Sequence, residues 1–377
     1  MKQLRDVYVI GVGMTKFARH PDRKFYHLGE EAVRAALEDA GIPFEAIEIA
    51  YCGHVMQGST AGQKVIGHVG RTGIPIMNVE NACASGTTAF RSAWANIATG
   101  LNDVALAVGF EKMGRGPIKS NEPEQKPEDE KKPPLMPSIF SQVFEEHRRR
   151  YGTTEEQMAL VSVKNHANGA LNPRAQYQEP ITVEDVMNSR QIVGPLRLLM
   201  CCPTGAGAAA AVLCSEEIAK TAKSEPIRVV ASAFQSEKAP DPEEPLSGIT
   251  EINQRTANLA YEMAGLKPDD IDLIELHDCF SIAEIIHYEN LGLCKRGEGG
   301  AFIEAGMPRL DGKIPVNPSG GLLAKGHPLG ATGVAQVFEI VTQLRGIAGE
   351  RQVKGAKIGL THCQGFGGAT GVHIFAR

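Results

Sequence analysis

No CxxC pair occurs among the eight cysteines, at positions 52, 83, 201, 202, 214, 279, 294 and 363, and their spacing forms no disulfide framework. That excludes a zinc ribbon or a thioredoxin-type motif within the chain, predicts reduced thiols that are mostly small buried hydrophobes, and leaves no expected metal site. Long apolar runs are missing too. The longest small-apolar stretch, residues 206–214, is far short of the roughly 20 residues that a spanning helix needs. The opening MKQLRDVYVIGVG has the pattern of a first strand, not of a signal peptide. Charge of one sign is not in excess either: a formal net charge of -5 provides no long-range attraction to nucleic acid or to an anionic membrane. These absences leave a soluble, cytoplasmic protein that binds neither.

What is present is length and repetition. With 377 residues, 42% of them hydrophobic, the chain can bury a large core and build two or three units of ordinary domain size. Residues 31–51, EAVRAALEDAGIPFEAIEIAY, show a helical pattern, a stop at Gly41, a connector and an alternating strand. Residues 257–276, ANLAYEMAGLKPDDIDLIEL, do the same with Gly265 at the stop, and Ile42 matches Leu266, Ile47 matches Ile271 and Glu48 matches Asp272. The small-residue helices that follow Cys83 and His327 form a second matching pair. The fold class is therefore α/β, with two similar halves and a site where they meet. Residues 1–112 with 200–240 form the N-terminal half, 241–377 the C-terminal half, and 113–199 an inserted loop or lid domain. Within the insert, the Pro-, Lys- and Glu-rich run over 112–137 reads as a solvated loop, as do candidate lid residues 134–144. Helices are expected near 138–150, 154–168 (after a Thr-x-x-Gln start) and 182–189.

Four residues carry the chemistry. The stretch NPSGGLLAKGHPLGATG, residues 317–333, places five glycines around His327 and runs into an apolar helix over 334–344. So dense a glycine run is a shaped backbone that presents an imidazole. Cys83, in NVENACASGTTAF, lies between a predicted strand (76–79) and the start of a helix, where the positive end of the dipole favours thiolate. His277, in LIELHDCFS, ends a predicted strand, and strand ends in α/β sheets point into ligand crevices. Cys363, in GLTHCQGFGGATG, is expected just after a strand over 358–361 and before the glycines. Each alone has a structural reading; four strand-end groups from both halves point to covalent catalysis with a base.

The segment around His327, ACASG at Cys83, the terminal Cys-x-Gly of Cys363 to Gly365 and the duplicated layout together resemble the thiolases over essentially the whole chain. HDCF at 277–280, VKNHANGALNPRAQY and CCP at 201–203 are similar to the sterol-carrier and archaeal-type branch. The resemblance implies a duplicated fold in five layers, α-β-α-β-α, with the inserted loop domain. It implies reversible cleavage or Claisen condensation of a 3-oxoacyl-CoA, with Cys83 as nucleophile, His327 as its base and Cys363 as the second acid/base. It further implies one oxyanion hole on the N–H groups of Cys83 and Gly365 and another on His277 and His327. Coenzyme A would be a substrate, with no tightly bound cofactor. A homodimer or dimer of dimers is implied, as is a small partner protein with an OB fold and zinc ribbon. Three alternatives remain open: a ketoacyl synthase, whose Gly-Phe-Gly-Gly recurs at 365–368; a sterol-type retro-aldolase; and a non-catalytic acyl-CoA-binding or scaffold subunit.

Overall fold

A computed structural model describes residues 4–114, 116, 135–239, 241, 243, 244 and 246–377. Most of the charged run expected to be a solvated loop lies outside the described residues. Val-, Ile- and Ala-rich stretches form β1 (Val7–Met14), β2 (Ile49–Gly53), β3 (Ile76–Val79), β4 (Val104–Lys112), the short pair β5 (Gln191–Val193) and β6 (Leu196–Arg197), β7 (Ala206–Ser215), β8 (Ile227–Ser236), β9 (Leu273–Glu275), β10 (Ile358–Gly365) and β11 (Ala369–Ala376). The helices are α1 (Phe25–Ala40), α2 (Ala61–Val69), α3 (Ser85–Ala98), α4 (Leu135–Tyr151), α5 (Glu155–Ala170), α6 (Val183–Asn188), α7 (Glu216–Ala219), α8 (Ser247–Ala264), α9 (Ser281–Asn290), α10 (Gly299–Glu304) and α11 (Thr332–Leu344). Among the described residues no helix is long and apolar enough to cross a membrane.

The main sheet has nine strands in the order β3-β2-β4-β7-β1-β8-β11-β10-β9. Its middle is thin, because β1 and β8 are joined only through Tyr8 with Arg228 and Val9 with Ile227. Three cores then define five layers. Leu28, Val33 and Ala36 of α1 and Val65 of α2 cover Ile10, Ala50, Leu106 and Val212 on one face of the N-terminal strands. Phe90 and Trp94 of α3, with Val337 and Ile340 of α11, fill the space between the two groups of strands, against Val9, Ala107, Leu213, Val229 and Phe375. Helices α8 and α9 close the far side over Ala231, Leu360 and Val372. This is the expected α-β-α-β-α arrangement.

The small-apolar run 206–214 is explained by β7, which has helices on both faces: Ala209, Ala211 and Leu213 face the middle core, and Ala208, Ala210 and Val212 the outer one. Close approach also explains Gly11 and Gly13, where a Cβ would lie 2.2 Å from the carbonyl oxygens of Ala36 and Ala32. The internal repeat is visible in the backbone. Gly41 (φ 70, ψ 28) and Gly265 (φ 67, ψ 28) end α1 and α8 in the same left-handed conformation, each before a 3-10 turn and a strand.

Residues 135–200 share a core with the C-terminal half. Phe140 and Phe144 of α4 and Met158 and Val161 of α5 are buried in it, and Phe140 stacks on Phe280 with ring centroids 4.5 Å apart. The helix expected near 138–150 is present as α4 and starts three residues earlier, so the solvated loop expected over 134–144 does not hold from residue 135 on. Thr154 and Gln157 form a reciprocal capping box at the start of α5, and Thr182 and Asp185 do so at α6.

Candidate active site

The turn after β3 delivers Cys83 to the start of α3. Ala82 adopts φ 48, unusual for a residue with a side chain, and Ser85 holds the turn by accepting from Asn81 N–H at 3.0 Å and donating to Ala82 O at 2.7 Å. Cys83 therefore sits one residue before the N-cap, Ala84. Its own N–H and that of Phe366 are directed at its sulfur. Opposite it, β10 ends at Gly365, where a Cβ would come within 2.1 Å of Asn81 O and 3.1 Å of Ala84 N, so only glycine permits this approach.

His327 is presented by the glycine-rich segment, and two buried carboxylates beside His277 hold that segment in place. Glu275 accepts from Ser319 N–H at 3.0 Å and Ser319 Oγ at 2.6 Å, and pairs with Lys325 at 2.9 Å. Asp278 accepts from Leu322 N–H at 2.7 Å, Leu323 N–H at 3.2 Å and Asn165 Nδ2 at 2.8 Å. A Cβ on Gly321, at φ 58, would fall 2.2 Å from Asp278 Oδ2. Glycine there lets the backbone wrap the carboxylate. Burial, then the charge of Glu284, raises the Asp278 carboxyl, while the Leu322 and Leu323 N–H groups oppose that rise.

His327 Nδ1 lies 2.7 Å from Thr332 Oγ1, which itself lies 3.1 Å from Pro328 O. A carbonyl can only accept, so both contacts are hydrogen bonds when the Thr332 hydroxyl donates to Pro328 and His327 Nδ1–H donates to Thr332. Nε2 is then left with its lone pair, buried and without a hydrogen-bond partner. His277 follows β9, and its ring meets that of His327 edge-on, with centroids 5.0 Å apart at 81°. One ligand atom each of Cys83, His277 and His327 lie within 4.8 Å of one another. Cys363 Sγ is 3.5 Å from His277 Nδ1 and 3.2 Å from Cys83 O. All four residues singled out in the sequence are therefore brought together.

Two details differ from the sequence reading. Cys363 lies inside β10, paired with Gly371, because the strand continues to Gly365 before the hairpin turns. The Cys83 thiol is also not acidified at rest. Burial pushes it up to about 12, outweighing the two N–H groups at its sulfur. Burial likewise drives Cys363 up, His277 down to about 3 and His327 well below its ordinary value, leaving neutral thiols and imidazoles.

Sequence reasoning missed three supports. Glu111 of β4, fully buried, accepts from Val55 N–H at 2.9 Å, Met56 N–H at 3.1 Å, Gln57 Nε2 at 2.5 Å and Gly330 N–H at 3.1 Å, tying the His327 turn to the N-terminal half. An acidic residue ending an apolar strand was the available signal, the same one that drew attention to His277. His362 Nε2 donates to Asn253 Oδ1 at 2.8 Å, so its Nδ1 faces His277 N–H at 3.5 Å. Thr332, the third, gave no local signal.

Residues 7–217 match the thiolase N-terminal domain, and residues 242–377 the thiolase C-terminal domain-like family. The chain is 46% identical to an acetyl-CoA acetyltransferase of Methanothermobacter thermautotrophicus, over 99% of this chain and all (100%) of that protein. It is 44% identical to sterol carrier protein 2 of Bos taurus, over 98% of this chain and 72% of that one. Benzoylsuccinyl-CoA thiolase subunit BbsB of Thauera aromatica is 37% identical over 97% and 96% of the respective chains. Among solved structures, the Ltp2-ChsH2(DUF35) aldolase superposes with a TM-score of 0.86 at 26% identity, covering 100% and 99% of the two chains. Human mitochondrial 3-ketoacyl-CoA thiolase in complex with CoA shares the fold at TM-score 0.76 and 20% identity, over 100% and 99%. With both thiolase domains matched and a relative of this identity over nearly its full length, the chain belongs to the thiolase family.

Proposed function

We infer that the protein is a thiolase that reversibly cleaves or forms 3-oxoacyl-CoA through an acyl thioester on Cys83. The observation that carries this reading is the meeting of Cys83, His277 and His327 within 4.8 Å, with the second thiol, Cys363, at 3.5 Å from His277. His327 Nε2 takes the Cys83 proton as the sulfur attacks the thioester carbonyl, and returns it to the departing coenzyme A thiolate. Cys363 then passes its thiol proton to His277 Nδ1, 3.5 Å away, and the resulting thiolate removes a proton from the α-carbon of the second acyl-CoA. The raised pKa of its thiol makes its thiolate a strong base, matched to a weak carbon acid. The enolate oxygen is held by His277 and, through a water that donates both to it and to His327 Nε2, by His327, and the tetrahedral oxyanion on Cys83 by the N–H groups of Cys83 and Gly365. Coenzyme A is a substrate.

A retro-aldolase reading has one observation in its favour, the structural similarity to the Ltp2-ChsH2(DUF35) aldolase. The presence of Cys83 favours thiolase, because an aldol cleavage needs no acyl-carrying sulfur. The two-component name of that aldolase and the subunit status of the Thauera relative support a partner protein for this chain. The open edge of β3, with Met77 half exposed, supports a dimer. Thiolysis of acetoacetyl-CoA by coenzyme A, followed with and without the Cys83→Ala change, tests the assignment. Cysteine-dependent release of two acetyl-CoA is expected; no thiolysis of acetoacetyl-CoA, together with Cys83-independent cleavage of a 3-hydroxyacyl-CoA to a carbonyl compound and an acyl-CoA, would instead support the aldolase reading.

A further inference from the structure

The donor set that faces the reacting centre is also the donor set of a soft metal ion. Cys83 Sγ and one ring nitrogen each of His277 and His327 lie within 4.8 Å of one another. They come from three separate segments, which is why no short ligand spacing announces them in the sequence. The geometry points to a reversible binding site for a thiophilic divalent cation, zinc or cobalt(II), on Cys83, His277 and His327.

The ring arrangement fits. Two imidazoles bound to one tetrahedral zinc at about 2.0–2.1 Å place their ring centroids about 5 Å apart. The observed separation of the His277 and His327 rings is 5.0 Å. Closing the donors to the ~3.5 Å spacing of a tetrahedral site takes shifts of about 1 Å. A second observation is independent of that spacing: His327 Nε2 is buried and has no hydrogen-bond partner, while Nδ1 is occupied by Thr332. A fixed tautomer with a free lone pair is how metal-binding histidines are prepared. One thiolate and two imidazoles select zinc or cobalt over magnesium or calcium, and three protein ligands leave a fourth position open to water or a thiol.

Binding exchanges the Cys83 S–H bond for a sulfur–metal bond and releases one proton to solvent. The sulfur that would accept the acyl group and the nitrogen that would take its proton are then both occupied. The metal therefore blocks acylation, and its removal restores it.

Titration of the chelator-treated full chain with Co²⁺ tests this by absorption spectroscopy. One equivalent is expected to give the d–d bands of four-coordinate cobalt together with a sulfur-to-cobalt charge-transfer band. Cys83→Ala and Cys83→Ser should lose the charge-transfer band, and His327→Gln should weaken binding by more than the roughly 10–100-fold cost of an outer-shell change. A six-coordinate spectrum, or a four-coordinate one unchanged in both cysteine variants, would overturn the site. A second arm reads acyl transfer to Cys83 by mass with acetyl-CoA, with chelator and with Zn²⁺. Acylation with chelator but not with Zn²⁺ supports the proposal, and equal acylation in both overturns it. If chelated protein takes no acyl group while the cobalt spectrum appears, the thiolase reading fails and the metal site stands.

Discussion

His327 Nδ1 sits 2.7 Å from Thr332 Oγ1, five residues along the same segment, so the first turn of α11 sets the tautomer of the imidazole facing Cys83. Thr332→Val keeps the shape but removes the acceptor, leaving a buried N–H without a partner and the ring free to take the other tautomer. Loss of a positioned base costs about 10²–10⁴ in rate, so Cys83 acylation by acetyl-CoA should slow at least about a hundredfold. Thr332→Ser should restore most of it. Wild-type rates in the valine variant, measured by rapid quench and mass, would show that Thr332 is only a packing residue.

Cys83 is half-buried, and the desolvation of its thiol raises it to about 12, so it stays protonated at neutral pH. A raised thiol pKa means that the thiolate fraction grows with pH until that value is reached. Alkylation of the substrate-free protein by iodoacetamide at Cys83 should climb about tenfold per pH unit from pH 7 to 9, without levelling off. A plateau near neutrality would mean that the helix terminus and His327 acidify the thiol at rest after all.

Glu111 gathers four donors from two halves of the molecule. Glu111→Gln turns one acceptor oxygen into a donor that faces donors. Hydrogen bonds to charged groups contribute about 1.5–3 kcal/mol each, so a loss of about 2–4 kcal/mol in stability is expected by urea unfolding. Acylation should slow as well, because Gly330 belongs to the turn that carries His327. Unchanged unfolding with full activity would remove Glu111 from the supporting structure.

The duplication was legible because it is written in local signals, the glycine stops at Gly41 and Gly265, and the Thr154 to Gln157 cap marked the start of α5 in the same local way. Strand ends likewise marked Cys83 and His277, and the structure places the four singled-out side chains in one cluster. Other features were not local. Glu111 meets Gly330 across 219 positions, and Asp278 meets Leu322 across 44, so neither sequence neighbourhood shows the partner. The end of β10 was misplaced because pairing with β11 continues through Cys363 to the hairpin glycines, and that pairing overrides local composition. The resting state of Cys83 depends on two opposed effects of which the sequence shows one: a dipole is visible there, while burial, which raises the thiol, is not.

Intact-protein mass after incubation with acetyl-CoA, for the wild type and for Cys83→Ala and Cys363→Ala, goes to the heart of the mechanism. One acetyl group is expected on the wild type and none on Cys83→Ala. Cys363→Ala should take up the acetyl group yet release no acetoacetyl-CoA. Acetyl transfer that survives in Cys83→Ala, or carbon–carbon bond formation at full rate in Cys363→Ala, would rule the division of labour between the two thiols out.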